Sequence, residues 1–204
     1  ARSCSTIPIV RTSRRRRRKS QRRYRVLELD HVFVCVSPGA PEAEDLVRFG
    51  LTEGPPNVHP GQGTANRRFF FQNAMLELFW VDNPTEARSE QTARTKLWER
   101  WSGRADGSTS PFGIVMRPAG HGRVAPPFAA WEYKPGYFPA GMSLFIGEAG
   151  VDEPFWALLP VSGRRAVEAR EHPNGVREIT GVTLTTPAPL RSGVADELVG
   201  LHVF

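Results

Sequence analysis

Two cysteines among 204 residues, Cys4 and Cys35, are too few for a disulfide framework. The chain therefore reads as one kept in a reducing compartment, the cytoplasm. No apolar run is long enough to span a bilayer, so no membrane partner is expected. Acid is missing from residues 1–25, which hold 11 of the 27 basic residues and none of the 21 acidic ones. The remainder carries 16 basic and 21 acidic residues, so the high overall isoelectric point belongs to the tail and the body is mildly acidic.

The tail contains RTSRRRRRKSQRRYR. Like charges at this density repel, and few apolar residues are present to fold it, so residues 1–25 are expected to be disordered. A nucleic-acid or anionic-surface arm would have this composition. The body shows no matching basic motif, so nucleic acid is not an expected partner except through the tail. The tail also lacks the apolar core of a signal peptide.

Past the tail, VLELDHVFVCV (26–36) is rich in branched residues and reads as a strand. Alternation puts Val32, Val34 and Val36 on one face and Leu29, His31, Phe33 and Cys35 on the other. PEAEDLVRF (41–49) reads as a short helix with proline at its start and acids in its first turn. A short strand in TEGPPNVH, then RRFFFQN and MLELFWV, complete the order βαβββ over residues 26–83.

One residue in the last of these strands is out of place. Glu77 sits among Met75, Leu76, Leu78, Phe79, Trp80 and Val81. A buried carboxylate is costly unless paired, hydrogen-bonded or bound to a metal. Leu76, Leu78 and Trp80 share the face suited to packing under the helix. Glu77 then shares the opposite face with Met75, Phe79 and Val81. That is the face assigned to His31, so imidazole and carboxylate are expected to converge.

Residues 84–170 read as a connector: a helical stretch with Trp98 and Trp101 at i, i+3, strands in PFGIVMRPAG and EPFWALLPV, and an aromatic, proline-rich loop. Within it, the aromatics of WEYKPGYFP (131–139), Trp131 among them, are placed to cover a cavity, with ordinary packing of a proline-rich loop as the alternative. In residues 171–204, REITGVTLTTP aligns without gaps on LELDHVFVCVSP, a weak internal repeat that marks the start of a second module.

The segments LDHVFV (29–34), HPGQGTANR (59–67), MLELFWV (75–81) and HPNGVREITGVTL (172–184) resemble the vicinal oxygen chelate superfamily, and more narrowly its glyoxalase-like domain branch. The resemblance implies an α+β fold of paired βαβββ modules, as in glyoxalases and bleomycin-resistance proteins. The first module is complete here and the second is divergent or truncated. It implies a divalent metal (Zn, Fe, Mn or Ni) held by His31 and Glu77, with Glu77 also taking a proton. His59, Thr64, Asn66, Phe79 and Trp131 would then bind a small oxygenated molecule. The implied activity is a metal-dependent lyase, isomerase or dioxygenase; a metal-free small-molecule binder, like drug-sequestering members of the superfamily, is the alternative. Gly181 stands where the repeat would place a second histidine, so the second module offers no ligand there. His59, His121, Glu132 or His172 would have to complete the set. Sheets in the superfamily are often completed by partner chains, so a homodimer is an expectation.

Overall fold

A computed structural model describes residues 5–8, 27–160, 169–186 and 189–194. The first segment is a strand, β1 (Ser5–Pro8), paired antiparallel with β10 (Thr183–Thr186) outside the main sheet. Residues 5–8, expected to be disordered with the rest of the tail, are therefore a strand held by pairing with β10, and the other tail residues lie outside the described ones. So do residues 195–204, the end of the segment read as the start of a second module.

The first half follows the expected order: β2 (Leu27–Cys35), α1 (Ala43–Arg48), β3 (Asn57–His59), β4 (Thr64–Phe70) and β5 (Met75–Val81). Three short helices follow, α2 (Pro84–Ala87), α3 (Glu90–Ala93) and α4 (Leu97–Ser102). Then come β6 (Phe112–Pro118), β7 (Ala130–Tyr133), β8 (Leu144–Gly147) and β9 (Phe155–Leu158). Eight strands form one sheet in the order β3-β4-β5-β2-β6-β9-β8-β7. The two ends of that order mirror each other. In each half the first strand runs parallel to the fourth (β2 with β5, β6 with β9), and β2 meets β6 antiparallel at the centre.

The second unit is therefore built from residues 112–158, inside the segment read as a connector, and not from residues 171–204. Among the described residues no helix joins its first strand to its second. The C-terminal segment does that helix's work. Leu184, Val194, Ile179 and Val182 cover Leu27, Ile114, Met116, Trp156 and Leu158 on the back of the sheet. On the first half, α1 covers the back in the expected way: Ala43 and Leu46 pack with Val36, Phe69 and Leu78.

The hairpin joining β3 to β4 needs glycine at its end. Gly63 has φ +70°, and a Cβ there would lie 2.3 Å from the Asn83 carbonyl oxygen and 2.6 Å from the Ala87 nitrogen. The Gly63 carbonyl also accepts hydrogen bonds from the Asp82 and Asn83 N–H groups, both at 3.0 Å. Backbone cannot step aside as a side chain can. Gly63→Ala is expected to cost about 2 kcal/mol or more, from left-handed strain plus overpacking. Urea denaturation checks it, and an unchanged midpoint would contradict this account.

Candidate functional site

The front of the sheet is concave and encloses a cavity of about 780 Å³. Its polar end depends on an irregularity in β2. Leu29 pairs with Met116 and His31 with Val115, so Asp30 is an extra residue, a β-bulge. The bulge reverses the phase of alternation. Leu29 joins Leu27 and Val32 on the covered back face, not His31 as the simple alternation had it. Two consecutive side chains, Asp30 and His31, both reach the cavity.

There they meet partners from three other strands. His31 Nδ1 lies 2.7 Å from Asp30 Oδ1, and His31 Nε2 lies 3.4 Å from Glu77 Oε2. Asn66 Nδ2 donates to Glu77 Oε1 at 2.5 Å, which gives the buried carboxylate a neutral anchor. Behind Asp30, Arg117 Nη1 donates to Asp30 Oδ2 at 2.9 Å, Nε to Glu28 Oε1 at 2.7 Å, and Nη2 to the Asn73 carbonyl at 3.0 Å. The result is a line of alternating charge, Glu28–Arg117–Asp30–His31–Glu77.

Burial opposes charge on the His31 ring. The hydrogen bond and charge of Asp30, with the charge of Glu77, outweigh burial and raise its pKa above the ordinary imidazole value, although Arg117 pulls the other way. Burial likewise disfavours the Asp30 carboxylate, yet His31 and Arg117 hold its pKa below the ordinary range. Geometry gives the same answer. With Nδ1–H given to Asp30, a neutral His31 would point its Nε2 lone pair at the Glu77 carboxylate. Only a proton or another cation between them makes that arrangement favourable.

A second histidine on the same cavity behaves in the opposite way. Burial pushes His59 below the ordinary imidazole pKa; Glu77 offsets part of this, and the charge of His31 adds to the depression. His59 Nδ1 lies 2.9 Å from Thr64 Oγ1, which also accepts from Gln62 Nε2 at 2.8 Å. Its ring stacks on Tyr137 with centroids 4.8 Å apart, and Tyr137 donates to Gln62 Oε1 at 3.2 Å.

Of the residues singled out from the sequence, His31, His59, Asn66, Glu77 and Phe79 line this cavity together. Thr64 does not; it is fully buried and holds His59 from behind. Trp131 does not either. It lies under the Arg94 guanidinium and lines a separate, smaller cavity. His172 is on the back of the sheet, bonded to the Thr52 N–H and packed against Phe71. Glu132 pairs with Lys134 outside the cavity, and His121 is exposed. Asp30, Arg117 and Gln62 were not anticipated, while Tyr137 belongs to the aromatic segment 131–139 expected to cover the cavity.

The metal implied by the resemblance does not find a full ligand set. His31 Nε2 and Glu77 Oε2 are spaced to take adjacent positions on one cation. The corresponding strands of the second half, however, present Val115, Arg117 and Phe155 to the cavity. Two of these are apolar and the third is a cation. Among the described residues no group of three or more His, Cys, Asp and Glu side chains is placed to hold a metal. Two protein ligands make a weak site, and the charge of Arg117 reaches His31.

Among the described residues, no helix is long and apolar enough to cross a membrane. A search of curated proteins finds no match. Among solved structures, the chain is similar to a hypothetical protein from Bacillus halodurans C-125, at 11% identity and TM-score 0.44, covering 68% of this chain and 96% of that one. It is also similar to a hypothetical protein from Staphylococcus aureus, at 15% identity and TM-score 0.34, covering 67% of this chain and 60% of that one. The family model of the glyoxalase-like domain matches residues 29–198, which take in both halves of the main sheet and the C-terminal cover. The chain belongs to the glyoxalase-like domain family, within the vicinal oxygen chelate superfamily.

Proposed function

We propose that the cavity binds a small oxygenated molecule and moves a proton on it, as a lyase or isomerase does, without a resident metal. The observation that carries this reading is the His31–Glu77 pair, 3.4 Å apart on the cavity wall with Asp30 behind the ring. His31 is held as an imidazolium and is the proton donor. Glu77, an acceptor anchored by Asn66, and His59, held neutral, are the candidate bases. The surroundings push the pKa values of His31 and His59 in opposite directions, which is how such sites divide acid and base roles. Aromatic walls from Phe33, Phe79, Tyr133 and Tyr137 suit an apolar body behind the reacting oxygen.

A dioxygenase would need a redox metal, and the donor set gives it the least support. A metal-dependent lyase would load the same two atoms, His31 Nε2 and Glu77 Oε2, in competition with the proton. Two measurements separate these readings. Chelator-treated protein, titrated with Zn, Mn, Ni and Fe(II), is expected to show no binding tighter than roughly micromolar. In D2O, a panel of small hydroxyketones and 2-oxo acids is expected to include one whose C–H bond next to the carbonyl exchanges, with His31→Gln and Glu77→Gln each slowing exchange at least ~100-fold. Tight binding of one metal equivalent, lost in Glu77→Gln, would restore the metal-dependent reading. Saturable binding of a panel member without exchange would favour sequestration.

A further inference from the structure

Arg100 has no part in the His31–Glu77 site, yet its burial is harder to account for than that of Glu77. It is 3% exposed. Its Nη1 donates to the carbonyls of Ser110, Val151 and Glu153 at 2.6, 3.1 and 2.6 Å, and Nη2 to that of Gly150 at 3.4 Å. Nε has no partner. Among the described residues no carboxylate touches the guanidinium; the Glu153 carboxylate instead accepts from the Arg191 and Ser192 N–H groups. Carbonyl dipoles satisfy N–H groups but bring no counter-charge. Burial pulls the guanidinium down to about 10, and Cys35, Asp152 and Glu153 restore only part. It stays charged at neutral pH.

Arg100 forms one wall of the smaller cavity, of about 260 Å³. Arg94, Lys96, Glu148, Trp131 and Phe155 contribute to the rest. Glu148 is the one carboxylate in that lining, and Arg94 takes it at 3.1 Å. The Arg94 guanidinium also lies 4.4 Å from the centre of the Trp131 ring. Lys96 has no acidic partner among the described residues. Its backbone is left-handed, φ +55°, a conformation that costs a non-glycine residue roughly 1–2 kcal/mol. The chain holds a lysine there in spite of that cost. Three cationic residues thus line one cavity, Arg100 buried and Arg94 and Lys96 exposed at its rim, with a single, already paired, carboxylate among the described residues.

We infer that the smaller cavity binds an oxyanion, the carboxylate or phosphate group of a small molecule, with Lys96 and Arg100 supplying the charge and Trp131 and Phe155 the apolar walls. The site is distinct from the proton-transfer site, and Phe155 and Ile146 line both cavities. The inference does not depend on the proposed reaction, because nothing in it uses His31 or Glu77.

The test titrates inorganic phosphate and, separately, benzoate into the full chain at constant ionic strength, followed by calorimetry and tryptophan fluorescence. At least one probe is expected to bind saturably at one site per chain. Lys96→Gln is expected to weaken it roughly tenfold, the effect of losing one charge-assisted hydrogen bond. His31→Gln is expected to leave it unchanged. Phosphate alone binding identifies phosphate esters as the ligand class; benzoate alone identifies organic carboxylates. Arg100 is also a structural clamp, so Arg100→Lys is read only after circular dichroism shows the native fold, and it is then expected to lose binding. Absence of saturable binding for both probes overturns the inference. So does binding that Lys96→Gln leaves unchanged, since the anion then sits elsewhere, the arginine-rich N-terminal segment included. Loss of binding in His31→Gln overturns it too, by placing the anion in the larger cavity.

Discussion

Arg117→Met will lower the unfolding free energy by about 3 kcal/mol, the typical result of removing one member of a buried, hydrogen-bonded charge network. The methionine fills most of the volume, so the loss is electrostatic and not a cavity effect. Arg117 is 4% exposed and satisfies Glu28, Asp30 and the Asn73 carbonyl at once. Without it, Asp30 keeps only His31 as a partner among the described residues. The Asn73 loop also loses a tether that joins β6 to the chain leading into β5. For a chain of this length the expected fall in melting temperature is roughly 6–12 °C. Arg117→Lys will recover part of it, because an ammonium reaches one carboxylate but cannot fork across two. Below the depressed pKa of Asp30 that carboxylate is neutral, so wild type and Arg117→Met will draw together in acid. Urea titrations at neutral and acid pH measure both effects. A difference below ~1 kcal/mol at neutral pH, or one that does not shrink in acid, would mean that Arg117 is not what stabilises Asp30.

Arg117 also shows what the sequence could and could not disclose. Its signal is the one that exposed Glu77: a single charge in an otherwise apolar strand, here FGIVMRP. Glu77 could be followed to its face because MLELFWV alternates without interruption, and β5 has those very bounds, Met75–Val81. His31 was followed correctly because the bulge lies before it, at Asp30. Leu29, on the other side of the bulge, was assigned to the wrong face. A bulge is set by pairing with β6, some 85 residues away along the chain, and has no local mark.

The second half was harder to read for a related reason. Its strands β7, β8 and β9 are four residues each, too short for alternation to rise above the proline- and glycine-rich loops between them. REITGVTL was taken for a second copy of the first strand on its gapless alignment with LELDHVFV, a likeness that rests largely on β-branched residues. That composition suits any extended segment laid on a sheet, and here it serves the cover over Trp156 and Leu158. Trp131 illustrates the limit of parity alone. It shares a face with Tyr133, yet two residues along a strand is roughly 7 Å. That is enough to carry it past Ile146 into the smaller cavity, while Tyr133 lines the larger one.

The His31 titration is the second large effect. His31 has a folded pKa above its ordinary value of 6.5, so its contribution to stability is complete below that value. The contribution is lost as pH rises through the folded pKa, where the proton leaves and the Nε2 lone pair faces Glu77. Asp30 has a folded pKa below its ordinary 3.8, so its contribution is present above that value and lost as pH falls through the depressed one. Both contributions are whole between the two ordinary values; stability from this pair declines on the alkaline side through the folded pKa of His31 and on the acid side through that of Asp30. The causes also rank the variants. Asp30 acts on His31 through a hydrogen bond and charge, Glu77 through charge alone, so Asp30→Asn will lower the His31 pKa more than Glu77→Gln will. Glu77→Gln keeps an oxygen for the Asn66 N–H and will leave the fold intact. Nuclear magnetic resonance of ring-labelled histidine reads each pKa directly, and thermal melts from pH 4 to pH 9 read the linked stability. A wild-type His31 that titrates at or below an ordinary histidine would remove the imidazolium from the site and with it the proton donor of the proposed reaction; a larger drop in Glu77→Gln than in Asp30→Asn would overturn the ranking of the two carboxylates.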